Sequence, residues 1–271
     1  MPQNLLIYGG YNWLGFHVMD YLIQENTFTD FIIVDSFQNQ LWKDNIRDKM
    51  DLYRHLYEVH IHLYAIDIKD KYKLESIYKK HNITHVIQNI KYNLCDKYIM
   101  EKLNGFKHIR DLNHIYKISQ MICLYRQITH NEFNLNHDMS TNHVKISETF
   151  NDYTHTIFNT NKPPKISHIA IYDYVYGYLK DHYNDIVYKY KKIIQTNSPC
   201  YVDVCTFYLT YDKYIIDHLC DLLLNKSHAR MIHSAYYTYE ELYDTIQSLL
   251  KKSSRDKKIK DNPVLIQYIC S

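Results

Sequence analysis

The stretch Asn4–Asp35, NLLIYGGYNWLGFHVMDYLIQENTFTDFIIVD, holds an apolar run, a glycine-punctuated turn, an amphipathic segment and a second apolar run closed by an acid. That order of events is what a βαβ dinucleotide-binding unit requires. Leu5 to Tyr8 reads as a first parallel strand and Gly9 as the tight turn after it; Gly15 reads as the point where the next helix packs close to the sheet. Trp13, Leu14, Val18, Met19 and Leu22 recur at helical spacing and would bury one face. The start of that helix presents unpaired N–H groups and a partial positive charge, which suits a pyrophosphate. Asp35, about twenty residues past the turn, is placed to accept hydrogen bonds from an adenosine ribose. Strand–glycine–helix turns occur in any parallel α/β protein, so this acid carries much of the reading.

A chain of 271 residues with 46% hydrophobic residues fits one large domain, or one and a small appendage. A formal net charge of +2 argues against a dedicated nucleic-acid binder, which would show a basic patch or stripe. The cysteines (95, 123, 200, 205, 220 and 270) form no C-x-x-C pair and read as reduced, mostly buried thiols of an intracellular protein. The first apolar run is only a strand long, so no signal peptide is expected, and no apolar run approaches a membrane span. The expected location is the cytoplasm. With 29 tyrosines and abundant Asn, Ile and Lys, the composition looks like that of an AT-rich genome, such as a large DNA virus (hence a host cytoplasm) or a parasite.

Further along, residues 36–52 read as a loop and short helix, His60 to Ile66 as a third strand, Asp70 to His81 as an amphipathic helix and Ile83 to Ile90 as a fourth strand. Strands alternating with helices at crossover spacing imply an α/β fold with a doubly wound parallel sheet. Cys95 to Leu103 and Arg110 to Ile128 read as helices, the second with Ile115, Ile118, Met121, Ile122 and Tyr125 as an apolar stripe. Asn142 to Asn159 reads as another helix, Ile166 to Tyr172 as a fifth strand, Lys180 to Thr196 as a helix and Tyr201 to Phe207 as a sixth strand. A helix from Lys213, a short strand near Arg230 to Ser234, and a helix from Thr238 with Glu241 completing a capping box close the pattern. The basic run Lys251 to Lys260 reads as a solvated tail.

In this order the chain resembles, from end to end, the extended short-chain dehydrogenase/reductases, the group that contains NAD-dependent nucleotide-sugar epimerases and dehydratases. YGGYNWLGFH (Tyr8–His17) resembles the family's TGGxGFIGxH turn, and IIVDSF (Ile32–Phe37) its second strand with the ribose-binding acid. AIDIKD (Ala65–Asp70) resembles the G-D-[IL]-x-D segment by the adenine, THVIQNI the fourth strand, and YDYVYG (Tyr172–Gly177) the S-[ST]-x-x-V-Y-G element. TYEELYDTIQSLL (Thr238–Leu250) resembles the C-terminal T-x-x-E-L helix. The resemblance implies a Rossmann-type sheet with a reduced C-terminal substrate region. It divides the chain into a dinucleotide-binding domain over 1–207, with a helical insertion about 94–137, and a C-terminal region over 208–271 packed on it. It implies NAD as cofactor, held by Gly9, Asn12, Trp13, Leu14, Gly15, Asp35, Asp67 and Ile68.

The departures from the family are chemical. Asn12 stands at the middle glycine of the turn, where the backbone would meet the pyrophosphate. The family's chemistry rests on a Tyr-x-x-x-Lys pair. Measured back from YVDVCTF, the tyrosine falls on Tyr183, whose partner is then Val187; a slipped register gives Tyr188 with Lys192. Tyr176 with Lys180 and Tyr98 with Lys102 share the spacing by chance. Tyr172 replaces the Ser or Thr that polarises the substrate carbonyl; Asp173 keeps a dehydratase-like acid, but Tyr174 stands at the neighbouring glutamate position. Between the sixth strand and the next helix, where the family forms much of its sugar-nucleotide pocket, there is little beyond Tyr208 to Asp212. Among the 17 histidines no H-E-x-x-H or Cys/His cluster appears, so no metal is expected.

Two functions follow. The first is a divergent, NAD-binding relative that has weakened or lost catalysis and serves as a binding or structural module. The second is an active NAD-dependent epimerase or reductase of a nucleotide-linked sugar. Either implies a homodimer, formed through the helices Asn142–Asn159 and Lys180–Thr196, and neither calls for nucleic acid or membrane.

Overall fold

The computed structural model describes residues 3–11, 13–36, 43–89, 99–126, 165–172, 174–177, 186–196, 206–224 and 234–250. Its apolar runs become β1 (Asn4–Tyr8), β2 (Asp30–Asp35), β3 (His60–Ala65), β4 (His85–Gln88), β5 (Gln120–Arg126) and β6 (Lys165–Tyr172), ordered β3-β2-β1-β4-β5-β6. The pairings β1·β2, β1·β4, β2·β3 and β4·β5 are all parallel. Between the strands run α1 (Trp13–Gln24), α2 (Lys43–Tyr57), α3 (Lys71–Lys80) and α4 (Ile99–Ile115). This is the Rossmann-type doubly wound arrangement. Every residue of β1 is buried, as expected of a central strand covered on both faces.

On one face, Leu74, Ile77 and Tyr78 of α3 and Phe106, Ile109 and Leu112 of α4 pack against Leu6, Tyr8, Ile32 and Val34. A polar string crosses this core. The Tyr8 hydroxyl donates to Tyr78 (3.1 Å), the Tyr78 hydroxyl donates to Asn113 Oδ1, and Asn113 Nδ2 donates to Met121 Sδ (3.0 Å). Burial holds the Tyr8 phenol well above its ordinary pKa, so it remains a neutral donor. α4 stops in a Schellman motif: Ile118 N–H bonds Asn113 O at 3.1 Å and Lys117 N–H bonds His114 O at 3.3 Å, with Lys117 at φ +51°.

Several expectations need correcting. The helix read over Arg110–Ile128 ends at Ile115. Gln120–Arg126 is instead a strand, with Met121, Ile122 and Cys123 opposite Val86, Ile87 and Gln88. Ile115, read as part of a buried stripe, is exposed. The described part of 94–137, residues 99–126, thus supplies α4 and β5 of the regular alternation rather than an inserted helix. The short helix expected after Asp35 is the 15-residue α2. Among the described residues the strand at Lys165–Tyr172 is the sixth, not the fifth. The helix read over Asn142–Asn159 lies outside the described residues.

β3 is the outermost strand. His60 N–H bonds Thr29 O (3.0 Å) and Ile66 N–H bonds Asp35 O (3.1 Å), so the backbone groups of Ile61, Leu63 and Ala65 face away from β2. The guanidinium of Arg54 on α2 donates to the Ile61 carbonyl.

The chain divides into two compact units: Met1–Tyr125 with Asp138–Ala170 and Leu219–Ala229, and Arg126–His137 with Ile171–His218 and Arg230–Ser271. The second contains a three-stranded sheet of β7 (Tyr174–Tyr176), β8 (Thr206–Tyr211) and β9 (Ser234–Thr238). β8 pairs parallel with β7 and antiparallel with β9, so the strand expected to extend the main sheet belongs to this one. α5 (Ile186–Gln195) and α7 (Tyr239–Leu250) lay Val187, Tyr190, Leu242 and Ile246 on Tyr176, Leu209 and Tyr237. α6 (Asp212–Leu223) begins directly at the end of β8. The capping box forms as expected: Glu241 N–H donates to Thr238 Oγ1 and Thr238 N–H donates to Glu241 Oε2, both at 2.9 Å.

Gly177, just after β7, has φ +142°, and a β-carbon there would lie 2.2 Å from Oδ1 of the buried Asp212 that opens α6. The backbone conformation and the close approach both demand glycine.

Candidate nucleotide site

The strand order reverses at β1, which has β2 on one side and β4 on the other. In open α/β sheets a ligand sits beyond the carboxyl ends of the strands at such a switch point. Gly9 leaves β1 at φ +66° and its N–H bonds Val34 O at 2.8 Å. A β-carbon on Gly10 would meet Ile7 Cγ2 and Ile33 Cγ2 at 3.0 Å. A β-carbon on Gly15 would lie 2.6 Å from both the Cα and the carbonyl oxygen of Gly10. The first turn of α1 therefore rests on the backbone of the glycine turn, and only glycine permits that approach.

The side chain of Asp35 reaches into the same turn, where its Oδ2 accepts from the Tyr11 N–H at 3.1 Å. A carboxylate at the end of β2 thus orders the turn. From the other side, Asn89 follows β4: its N–H bonds Tyr8 O at 2.9 Å and its side-chain Nδ2 lies 3.4 Å from Gly9 O. Asn89 is buried and was not singled out by sequence. Its signal was an amide-bearing residue closing an apolar strand beside the glycine turn.

The other expected residues divide by position. Trp13 opens α1, and Leu14 is buried, which leaves the backbone N–H as its polar group towards the helix start. Asp67 lies in the connection from β3 to α3; its Oδ1 accepts from Lys69 N–H at 3.1 Å and its Oδ2 lies 3.7 Å from Lys69 Nζ. The Ile68 side chain is turned into the core, where a β-carbon on Gly105 of α4 would meet it at 2.6 Å. Asn12, Asp173 and Tyr183 lie outside the described residues. In the second unit, Tyr188 and Lys192 lie one turn apart on α5, both exposed, and Val187 is buried in that unit's core. No group of three or more metal-ligating side chains that could hold a metal ion occurs among the described residues. No described helix is long and apolar enough to cross a membrane.

No protein-family model matches the sequence, and no curated protein matches it. Solved structures do. The Bordetella bronchiseptica enzyme WbmG in complex with NAD and UDP superposes with a TM-score of 0.64 at 11% identity, over 93% of this chain and 79% of that one. UDP-glucose 4-epimerase from Thermotoga maritima with UDP-glucose gives 0.63 at 16% identity, over 93% and 84%. The Thermus thermophilus UDP-glucose 4-epimerase complex with NAD gives 0.62 at 13%, over 92% and 84%. At these identities the likeness is one of fold.

Proposed function

We propose that this chain is a dinucleotide-binding protein that takes NAD against the β1–α1 turn and serves as a binding or structural module, with epimerase-type catalysis weakened or lost. The observation that carries the reading is the turn itself. Gly15 rests on the Gly10 backbone and Asp35 holds the Tyr11 amide, which leaves the start of α1 aimed where a pyrophosphate would lie. Several enzymes of similar fold are NAD complexes, which supports the choice of ligand. Asp35 favours NAD over NADP, because a carboxylate repels a 2′-phosphate.

Two features support lost chemistry. The position that would carry lysine beside Tyr183 is Val187, which is buried among apolar side chains, and β8 passes into α6 with no segment between them to form a sugar pocket. A homodimer in which α5 takes part belongs to the same reading.

Thermal melting with and without NAD tests it. At 1 mM NAD, a dissociation constant of about 10 μM would stabilise the native state by about 2.7 kcal/mol. For a chain of this size that raises the midpoint by roughly 5 °C or more. No shift at millimolar NAD would overturn the reading.

A second reading, an active NAD-dependent epimerase or reductase of a nucleotide-linked sugar, is favoured by Tyr188 and Lys192, exposed and correctly spaced on α5. It expects turnover of a UDP-hexose that falls at least about a hundredfold in Tyr188→Phe, the scale of a lost general acid–base. Turnover unchanged in that variant removes this pair from the mechanism.

A further inference from the structure

At the amino-terminal margin of the sheet, away from the glycine turn, titratable side chains gather that the nucleotide site does not use. His60, His62 and Tyr64 alternate along β3 and so share one of its faces. Asp30, which opens β2, has its Oδ1 3.2 Å from His62 Nε2 and 3.5 Å from His60 Nδ1. The His62 ring in turn packs against that of His81, with centroids 4.5 Å apart. His81 is the residue that ends α3: its backbone N–H bonds Ile77 O at 2.9 Å, and its Nε2 lies 2.7 Å from the Tyr64 hydroxyl. The tautomer of the ring decides which of the two donates. Lys80 Nζ stands 5.6 Å over the Tyr64 ring, and Lys79 is paired to Glu75 at 2.9 Å.

One carboxylate therefore serves two histidines. A proton on His81 sets a cation against the His62 ring, next to Lys80, with the α3 carboxyl end and Asp30 as the compensating groups. Burial, the largest cause, together with His62 and Lys80, pushes the His81 pKa below the ordinary histidine value, against a smaller pull from Asp30. The sign follows. Stability from a neutral His81 is complete above the ordinary histidine pKa of about 6.5 and is lost as pH falls through the lower folded value. Beside the cluster opens a cleft of about 250 Å³, lined in part by His81, Tyr78 and Tyr116.

We propose that His62, His81 and Tyr64 form an acid-released clasp between β3 and the end of α3, closed at neutral pH and opened when His81 becomes charged against the His62 ring. The clasp is a conformational device independent of the nucleotide site. Its release would loosen the outer β3–α3 corner while leaving the central strands in place.

The test is amide hydrogen exchange of the full chain between pH 7.5 and 5, corrected for intrinsic rates, with the histidine resonances titrated in parallel. In the wild type the His81 and Tyr64 amides should lose about tenfold in protection on acidification while β1 amides do not. In His81→Gln, which keeps a neutral polar side chain, that loss should disappear. In His62→Gln the His81 titration should move up towards the ordinary value, because one of the groups that lower it is gone. His85, whose pKa burial also lowers, titrates at the start of β4 and affects global stability, so the local amides are the deciding signal. Equal acid sensitivity in wild type and His81→Gln, or a His81 titration unmoved by His62→Gln, would overturn the proposal.

Discussion

Replacing Gly15 by alanine should cost about 3 kcal/mol or more of stability, and the binding of NAD with it. The new methyl would lie 2.6 Å from the Gly10 backbone, and backbone cannot turn aside as the end of a flexible side chain can. α1 would have to lift from the end of β1, carrying with it Leu14, Val18, Met19 and Leu22, which are buried. At roughly 2–4 °C per kcal/mol for a chain of this class, the melting midpoint should fall by about 6–12 °C. If the fold survives, the NAD-dependent rise in midpoint should vanish, since the N–H groups at the start of α1 would no longer be aimed as they are. A loss below about 1 kcal/mol would show that α1 does not rest on the turn as described.

An effect of similar size is expected at Gly177→Ala, for a different reason. Here strain and overlap add. A φ of +142° is open to glycine and strained by about 1–3 kcal/mol for other residues, and the added carbon would lie 2.2–2.4 Å from the Asp212 carboxylate. Asp212 is fully buried at the start of α6 and cannot swing to solvent. The single variant should lose about 4 kcal/mol or more. The two contributions separate in a double-mutant cycle with Asp212→Ala. Removing the carboxylate relieves the overlap and leaves the backbone strain, so the double variant should be more stable than the sum of the singles predicts by at least about 1 kcal/mol. Additive losses would assign the whole effect to the backbone.

The βαβ unit was legible because its signals are local: an apolar strand, two glycines with separate duties, and an acid at the end of the second run. β5 was not. In QMICLYR a short apolar run has no period of its own, and with Ile115 and Ile118 it completed a convincing helical stripe. The stop signal that would have divided them is usually glycine, and this chain has 5 glycines in all. The helices instead end on Asn26, Glu58 and Lys117 at φ values of +50°, +53° and +51°, so these breaks carry no glycine in the sequence. At the candidate site, Gly9, Gly15 and Asp35 could be named in advance, but the bond from the Tyr11 amide to Asp35 and the position of Asn89 depend on β2 and β4 flanking β1. The polar string from Tyr8 is of the same kind, since its partners lie 70 and more residues away in sequence.

The guanidinium of Arg54 on the Ile61 carbonyl bears on solubility. A terminal strand offers a ladder of backbone groups to any other extended chain, and the face beside it carries the exposed Leu52, Leu56 and Leu63. Another strand docking on that margin would have to displace an arginine from its carbonyl and desolvate the positive charge. The contact turns a potential template for fibre growth into a guarded border.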